Sequence, residues 1–159
     1  MKNTGHTFMR EAIRLSIEAV QSGKGQGPFG AVVVKDGKII AGSCNRVVET
    51  NDPTAHAEVM AIREAAKVLG TFNLEGCELY TSCEPCPMCL GAVYWSRVSR
   101  LYYANTQADA AAIGFDDQFI YEEIDRQLEQ RRLPSEQMLR EEALIAFQQW
   151  AAHPDKQEY

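Results

Sequence analysis

Two short stretches about thirty residues apart constrain this chain more than any other feature: His56-Ala57-Glu58 and Pro85-Cys86-Pro87-Met88-Cys89. They offer an imidazole beside an acid, and a pair of thiols. Zinc takes nitrogen and sulfur ligands tetrahedrally, and a catalytic zinc keeps three protein ligands and an open fourth position. His56, Cys86 and Cys89 supply that count for one zinc per chain, and Glu58 sits where a proton carrier is needed. A closed structural site with Cys83 as a fourth ligand is the competing reading, since Cys83 lies three residues before Cys86. It leaves Glu58 and the proline before Cys86 without a use.

The spacing also carries geometry. Residues two apart on a helix point about 200° away from each other, so His56 and Glu58 serve one site only if the helix end itself faces it. The same holds for the turn bearing Cys86 and Cys89. Two helix N-termini aimed at one metal bring partial positive charge, which favours thiolates.

Composition narrows the rest. A chain of 159 residues, 45% hydrophobic and 24% charged, reads as one domain, residues 1–159, able to bury a core without staples. Five cysteines, an odd number with three crowded together, suit a reduced compartment and a metal better than a disulfide framework. Cys44 and Cys77 read as small buried fillers. No stretch is long and apolar enough to cross a bilayer, and the first residues lack the apolar run of a signal peptide, so the expectation is a cytoplasmic protein with no membrane contact. Nucleic-acid binding draws on neutralising phosphates with Lys and Arg. Sixteen basic against 22 acidic residues, a net charge of -6, supply that poorly, and no nucleic-acid partner is expected.

Apolar residues at helical spacing predict a helix over residues 4–22 that packs on a core. The glycines at 23, 25, 27 and 30 follow a helix and open a strand, the reverse of a dinucleotide fingerprint, so they read as a connector with close backbone approach. Runs 31–35 and 38–44, joined by Asp36-Gly37, predict a β-hairpin. A helix follows residues 52–54, with Val59, Ile62, Ala66 and Leu69 on one face and Gly70 ending it. A strand is expected at 78–82, a helix at 86–97 with Pro87 in its first turn, and a strand at 100–104. An alanine-rich stretch to 113 precedes a helix at 119–128, a strand at 136–140 and a last helix at 141–152. A hairpin followed by alternating helices and strands gives an α/β protein, a three-layer α/β/α sandwich with a mixed central sheet.

The pattern H-x-E…P-C-x-x-C is the signature of zinc nucleobase deaminases. With Gly27-Pro28-Phe29-Gly30-Ala31-Val32, Asn51-Asp52-Pro53-Thr54, Gly114-Phe115-Asp116-Asp117 and Glu158-Tyr159, the chain resembles the cytidine-deaminase-fold enzymes over nearly its whole length. The Phe-Asp-Asp and Glu-Tyr segments are similar to the guanine deaminase branch; residues 127–149 match in architecture only. The resemblance implies that His56, Cys86 and Cys89 hold zinc and that Glu58 and Asp117 are catalytic. It implies substrate contacts from Phe29, Asn45, Ala57, Trp95, Asp117 and Tyr159, the aromatic Phe29 and Trp95 as pocket walls. It implies conversion of guanine and water to xanthine and ammonia in purine salvage, and a homodimer whose C-terminal segments, about 134–159, cross over to set Tyr159 on the partner's pocket. Zinc brings water to ionise near neutral pH, and a positioned carboxylate moving protons to the base contributes about 10²–10⁴-fold.

Each assignment has a plainer alternative. Asn45 caps a turn, Asp117 caps the helix beginning near residue 119, and Phe29 and Trp95 are core aromatics. At the level of function the alternatives are a guanosine deaminase, whose pocket needs room for ribose, a transfer-RNA adenosine deaminase, disfavoured by the acidic balance, and a non-catalytic zinc or purine-binding module, which has no use for Glu58.

Overall fold

The computed structural model describes residues 2–159. The chain divides into two compact units, the first ending at Gln118 and the second running Phe119–Tyr159. In chain order the first carries α1 (Lys2–Gln21), β1 (Gly30–Lys35), β2 (Lys38–Cys44), α2 (Val47–Thr50), α3 (Ala57–Leu69), β3 (Cys77–Cys83), α4 (Pro87–Trp95), β4 (Arg100–Asn105) and α5 (Gln107–Ala112). Helix α6 (Gln118–Asp125), a 3-10 turn (Leu128–Gln130) and α7 (Arg140–Ala152) follow.

The four strands form one sheet in the order β2-β1-β3-β4. Strand β1 runs antiparallel to β2 and to β3, while β3 and β4 are parallel, so the sheet is mixed. Asp36 and Gly37 make the hairpin turn with φ of 49° and 71°, the two positive angles a tight two-residue connection requires.

The layers follow from the alternation of side chains along β1 and β3. Val32, Val34 and Tyr80 point to one face and pack with Phe8 and Ala12 of α1. Ala31, Val33 and Leu79 point to the other and pack with Ala57, Ala61 and Ala65 of α3 and Val93 of α4. Helices thus cover both faces of a mixed sheet, the α/β/α sandwich expected from the sequence. Each fully buried Val or Leu of this core contributes about 1.5–3 kcal/mol relative to exposure. The alanines on α3 matter for a different reason, because their small side chains let that helix approach the sheet closely and fix where its N-terminus lies.

The entry to β1 is as tight. A Cβ on Gly30 would lie 2.3 Å from the Ala12 carbonyl oxygen and 2.6 Å from the Ser16 nitrogen, both backbone atoms of α1. The Gly30 N–H donates to Ser82 Oγ at 3.0 Å, tying β1 to the strand end that leads into the cysteine pair.

One expectation needs correction. Residues 136–140 form no strand: Leu139 takes φ 51° and ψ 36°, left-handed and incompatible with an extended run, and Arg140 already begins α7. The alanine-rich stretch contains the short helix α5, begun by a capping box in which Thr106 and Asp109 satisfy each other's backbone N–H. No helix is long and apolar enough to cross a membrane among the described residues.

Candidate active site

His56 and Cys86 occupy equivalent places. Each is the N-cap of its helix, α3 and α4, in extended conformation with φ/ψ of -68°/153° and -66°/167°, and neither side chain caps its own helix. An N-cap side chain ordinarily satisfies a free N–H of the first turn. Here both point away from that duty and toward each other. Pro87 at the first position of α4 lacks an N–H, which removes one donor that would otherwise need a cap.

The three ligand candidates converge. His56 Nδ1 lies 3.5 Å from Cys86 Sγ and 3.4 Å from Cys89 Sγ. Tetrahedral zinc with Zn–N near 2.05 Å and Zn–S near 2.3 Å separates a nitrogen and a sulfur ligand by about 3.5 Å. The observed spacing fits that metal. His56, Cys86 and Cys89 are the group of metal-ligating side chains found close together among the described residues. Cys83 stands apart from it: its Sγ donates to the Thr106 carbonyl at 3.6 Å, and burial pushes its thiol up to about 11. The closed four-ligand site is therefore not built.

The electrostatics suit a cation. The Cys86 thiol is lowered to about 4 by its hydrogen bond with Cys89 and by His56, whereas the Cys89 thiol is pushed up by the same Cys86 neighbour and by burial. The two sulfurs compete for one proton, and coordination ends that competition because a metal-bound thiol is deprotonated outright. His56 is raised chiefly by its hydrogen bond with Cys86.

Glu58 lies in the first turn of α3, buried at 4% exposure. Thr81 Oγ1 donates to its Oε1 at 3.0 Å, and Cys89 Sγ lies 3.4 Å from its Oε2. Burial raises its carboxyl above the ordinary carboxylate range. An acid moved that way is better suited to both accept and return a proton near neutral pH.

A cavity of about 290 Å³ opens beside these groups, and Phe29, His56, Glu58, Cys86 and Asp117 all line it. Phe29 meets Phe115 edge to face, centroids 5.0 Å apart at 88°. Asp117 is raised by burial and by the negative charge of Cys86.

The remaining sequence-derived residues are placed as follows. Asn45 is buried, its Oδ1 accepts from the Val47 N–H at the start of α2, and its own N–H donates to the Phe29 carbonyl. It thus shapes the loop behind Phe29 and does not line the cavity. Ala57 is fully buried at the first position of α3, between the ligand and the acid. Trp95 is not a wall of this cavity: it lies at the far end of α4 from Cys86, about 13 Å along the helix, and is 66% exposed. Tyr159 belongs to the second unit and is exposed. Cys83, Glu84, Gln107, Ala110 and Phe115 also line the cavity. Neither Gln107 nor Ala110 carries an individual signal in the sequence, but Glu84 lies inside the cysteine motif and Phe115 inside the Phe-Asp-Asp segment.

Comparison with known proteins agrees with this geometry. Residues 2–105 match the family model described as the cytidine and deoxycytidylate deaminase zinc-binding region. The chain is 56% identical over 153 residues to the guanine deaminase of Bacillus subtilis strain 168, covering 96% of this chain and 97% of that one. A crystal structure of Bacillus subtilis guanine deaminase superposes with a TM-score of 0.93 over 97% of this chain and 98% of that one, at 55% identity. The transfer-RNA-specific adenosine deaminase of Aquifex aeolicus is 46% identical over 97 residues, 61% of this chain and 63% of that one. Zinc ligands at two helix N-termini, a buried acid beside them and a family match over the same residues lead to one conclusion: this chain belongs to the zinc-binding cytidine and deoxycytidylate deaminase family.

Proposed function

We propose that the protein is a guanine deaminase, joining guanine and water to give xanthine and ammonia. The observation that carries this is the placement of Glu58, His56 and Cys86 on one cavity, with Cys89 completing the ligand set behind them. The near full-length likeness to the guanine deaminase of Bacillus subtilis supports the choice of base. Bound zinc supplies the Lewis acidity that lets water react at neutral pH. Glu58 carries two protons in turn: one from water to a ring nitrogen as the oxygen adds to C2, and one from the added hydroxyl to the amine as the C2–N bond breaks and ammonia leaves. Asp117 offers a hydrogen-bonding group to the polar edge of the base, Phe29 its apolar face, and Asn45 and Ala57 hold the loop and helix start against which it rests. The cavity, about 290 Å³, is at the small end of ligand sites. That favours a free base over a nucleoside.

The working protein is a cytoplasmic homodimer in this reading. Each chain is one deaminase domain whose segment from about residue 134 is exchanged, so that Tyr159 closes the partner's pocket. Helix α7 buries none of its side chains in the single chain and leaves Ile145, Phe147 and Trp150 exposed, which supports a partner for it. Exchange of identical elements is a low-cost route to a dimer.

The test is to offer the purified zinc-loaded protein guanine, guanosine, adenine and cytosine and follow ammonia. Release from guanine alone is the expected result. Release from guanosine at a similar rate moves the substrate to the nucleoside, and release from none returns the chain to a binding module.

A further inference from the structure

We propose that Thr81 is a positioning residue for Glu58, holding one carboxylate oxygen so that the other faces the substrate. The proposal deepens the deaminase reading and rests on it. Thr81 lies on β3, paired with Ala31 of β1 on one side and Tyr103 of β4 on the other, so its backbone is pinned from both edges. A β-branched side chain has few χ1 choices, and this one is 1% exposed. The hydroxyl is therefore a donor fixed in space, shut off from water and obliged to find an acceptor within the protein. It finds Glu58 Oε1 at 3.0 Å.

Glu58 needs such a partner. Its side chain has three rotatable bonds and sits in the first turn of α3, where the Glu58 N–H is its partner on the same helix. The other side-chain donor within reach is the Cys89 thiol, 3.4 Å from Oε2. As a zinc ligand Cys89 is a thiolate and has no proton to give. Thr81 then remains the side-chain donor to this carboxylate among the described residues. With Oε1 held by β3, Oε2 is the oxygen left for the substrate in the cavity that Glu58, His56 and Cys86 line together. A proton carrier works only within hydrogen-bond reach of both donor and acceptor, and a displacement of about 1 Å can cost 10²-fold in rate. The strand thus adds a second anchor to the one that the Glu58 N–H, on its own helix, gives the carboxylate.

Thr81→Val keeps the branched shape and removes the hydroxyl; Thr81→Ser keeps the hydroxyl and removes a methyl. Wild type and Glu58→Gln are assayed first with guanine. Activity in the former and its loss in the latter establish the deaminase reading independently of Thr81. The variants are then compared for kcat, KM, zinc per chain and thermal midpoint. We expect Thr81→Val to lose about 10–100-fold in kcat with KM within about threefold and zinc unchanged, and Thr81→Ser to recover most of kcat. A crystal of zinc-loaded Thr81→Val should show the Glu58 side chain in more than one rotamer. Wild-type turnover by Thr81→Val overturns the proposal. So does a loss carried by KM or by zinc content, or an equal fall in the serine variant, since these mark a structural role. Should the valine variant not fold, Thr81→Ala is measured against Thr81→Ser in the same way.

Discussion

His56 and Cys86 stand at helix N-caps and leave capping undone, so both side chains are available to a metal. An uncapped N-terminus costs about 0.5–2 kcal/mol relative to a well-capped one. A metal held by those side chains offsets the loss, so folding and metal binding should be coupled. We expect Cys83→Ser to keep about one zinc per chain and its activity, because Cys83 donates to the Thr106 carbonyl and stays outside the ligand set. Cys86→Ser should lose zinc, activity and thermal stability together. Zinc analysis by atomic absorption alongside a melting curve decides it, and loss of metal in Cys83→Ser would restore the four-ligand site. The ligands and Glu58 were legible in the sequence because metal chemistry demands residue types at short, recognisable spacing. Thr81 was not, since its use depends on which strand face meets α3, a fact of packing with no local pattern. Trp95 stands at the other end of α4 from Cys86, a placement its residue type alone does not reveal.

Among the elements, those with strong periodic or turn signals were readable: α1, α3 and the β1–β2 hairpin lie within a few residues of the expected spans. Helix α2, with four residues, is too short to carry a period. The stretch 136–140 has the composition of a strand, yet the four-stranded sheet pairs without it and Leu139 adopts a left-handed turn. Close backbone approach was legible in the glycine-rich connector, but not that Gly30 is the glycine concerned or that α1 is what it meets, because that depends on packing. This approach makes a quantitative prediction. Gly30→Ala forces a Cβ against backbone atoms that cannot swing aside. Overpacking of that kind costs about 1–3 kcal/mol, or a fall of about 3–10 °C in Tm for a chain of this size. Gly91→Ala, within α4 where an added Cβ meets nothing within 4 Å, should move the other way, gaining about 0.5–1 kcal/mol from helix propensity. Paired melting curves check both. Equal behaviour of the two variants would mean that α1 does not press on Gly30 in solution.

The two compact units divide the residues proposed for the site. The first unit holds the zinc ligands, Glu58 and Asp117, and the second holds Tyr159 and the exposed apolar residues of α7. If the second unit is exchanged between two chains, the zinc center of one chain and the tail of the other make one site. Two inactive variants decide this when refolded together. One carries Glu58→Ala with its tail intact. The other keeps Glu58 but ends at Trp150. Under exchange, the mixed dimer contains one site with Glu58 from the shortened chain and Tyr159 from the other, and activity returns. Random pairing makes about half of all dimers mixed, each with one working site of two, so about a quarter of wild-type activity per chain is the ceiling. Without exchange every site lacks either its acid or its tyrosine. A mixed dimer isolated through distinct affinity tags and still inactive toward guanine would mean that each tail closes its own pocket.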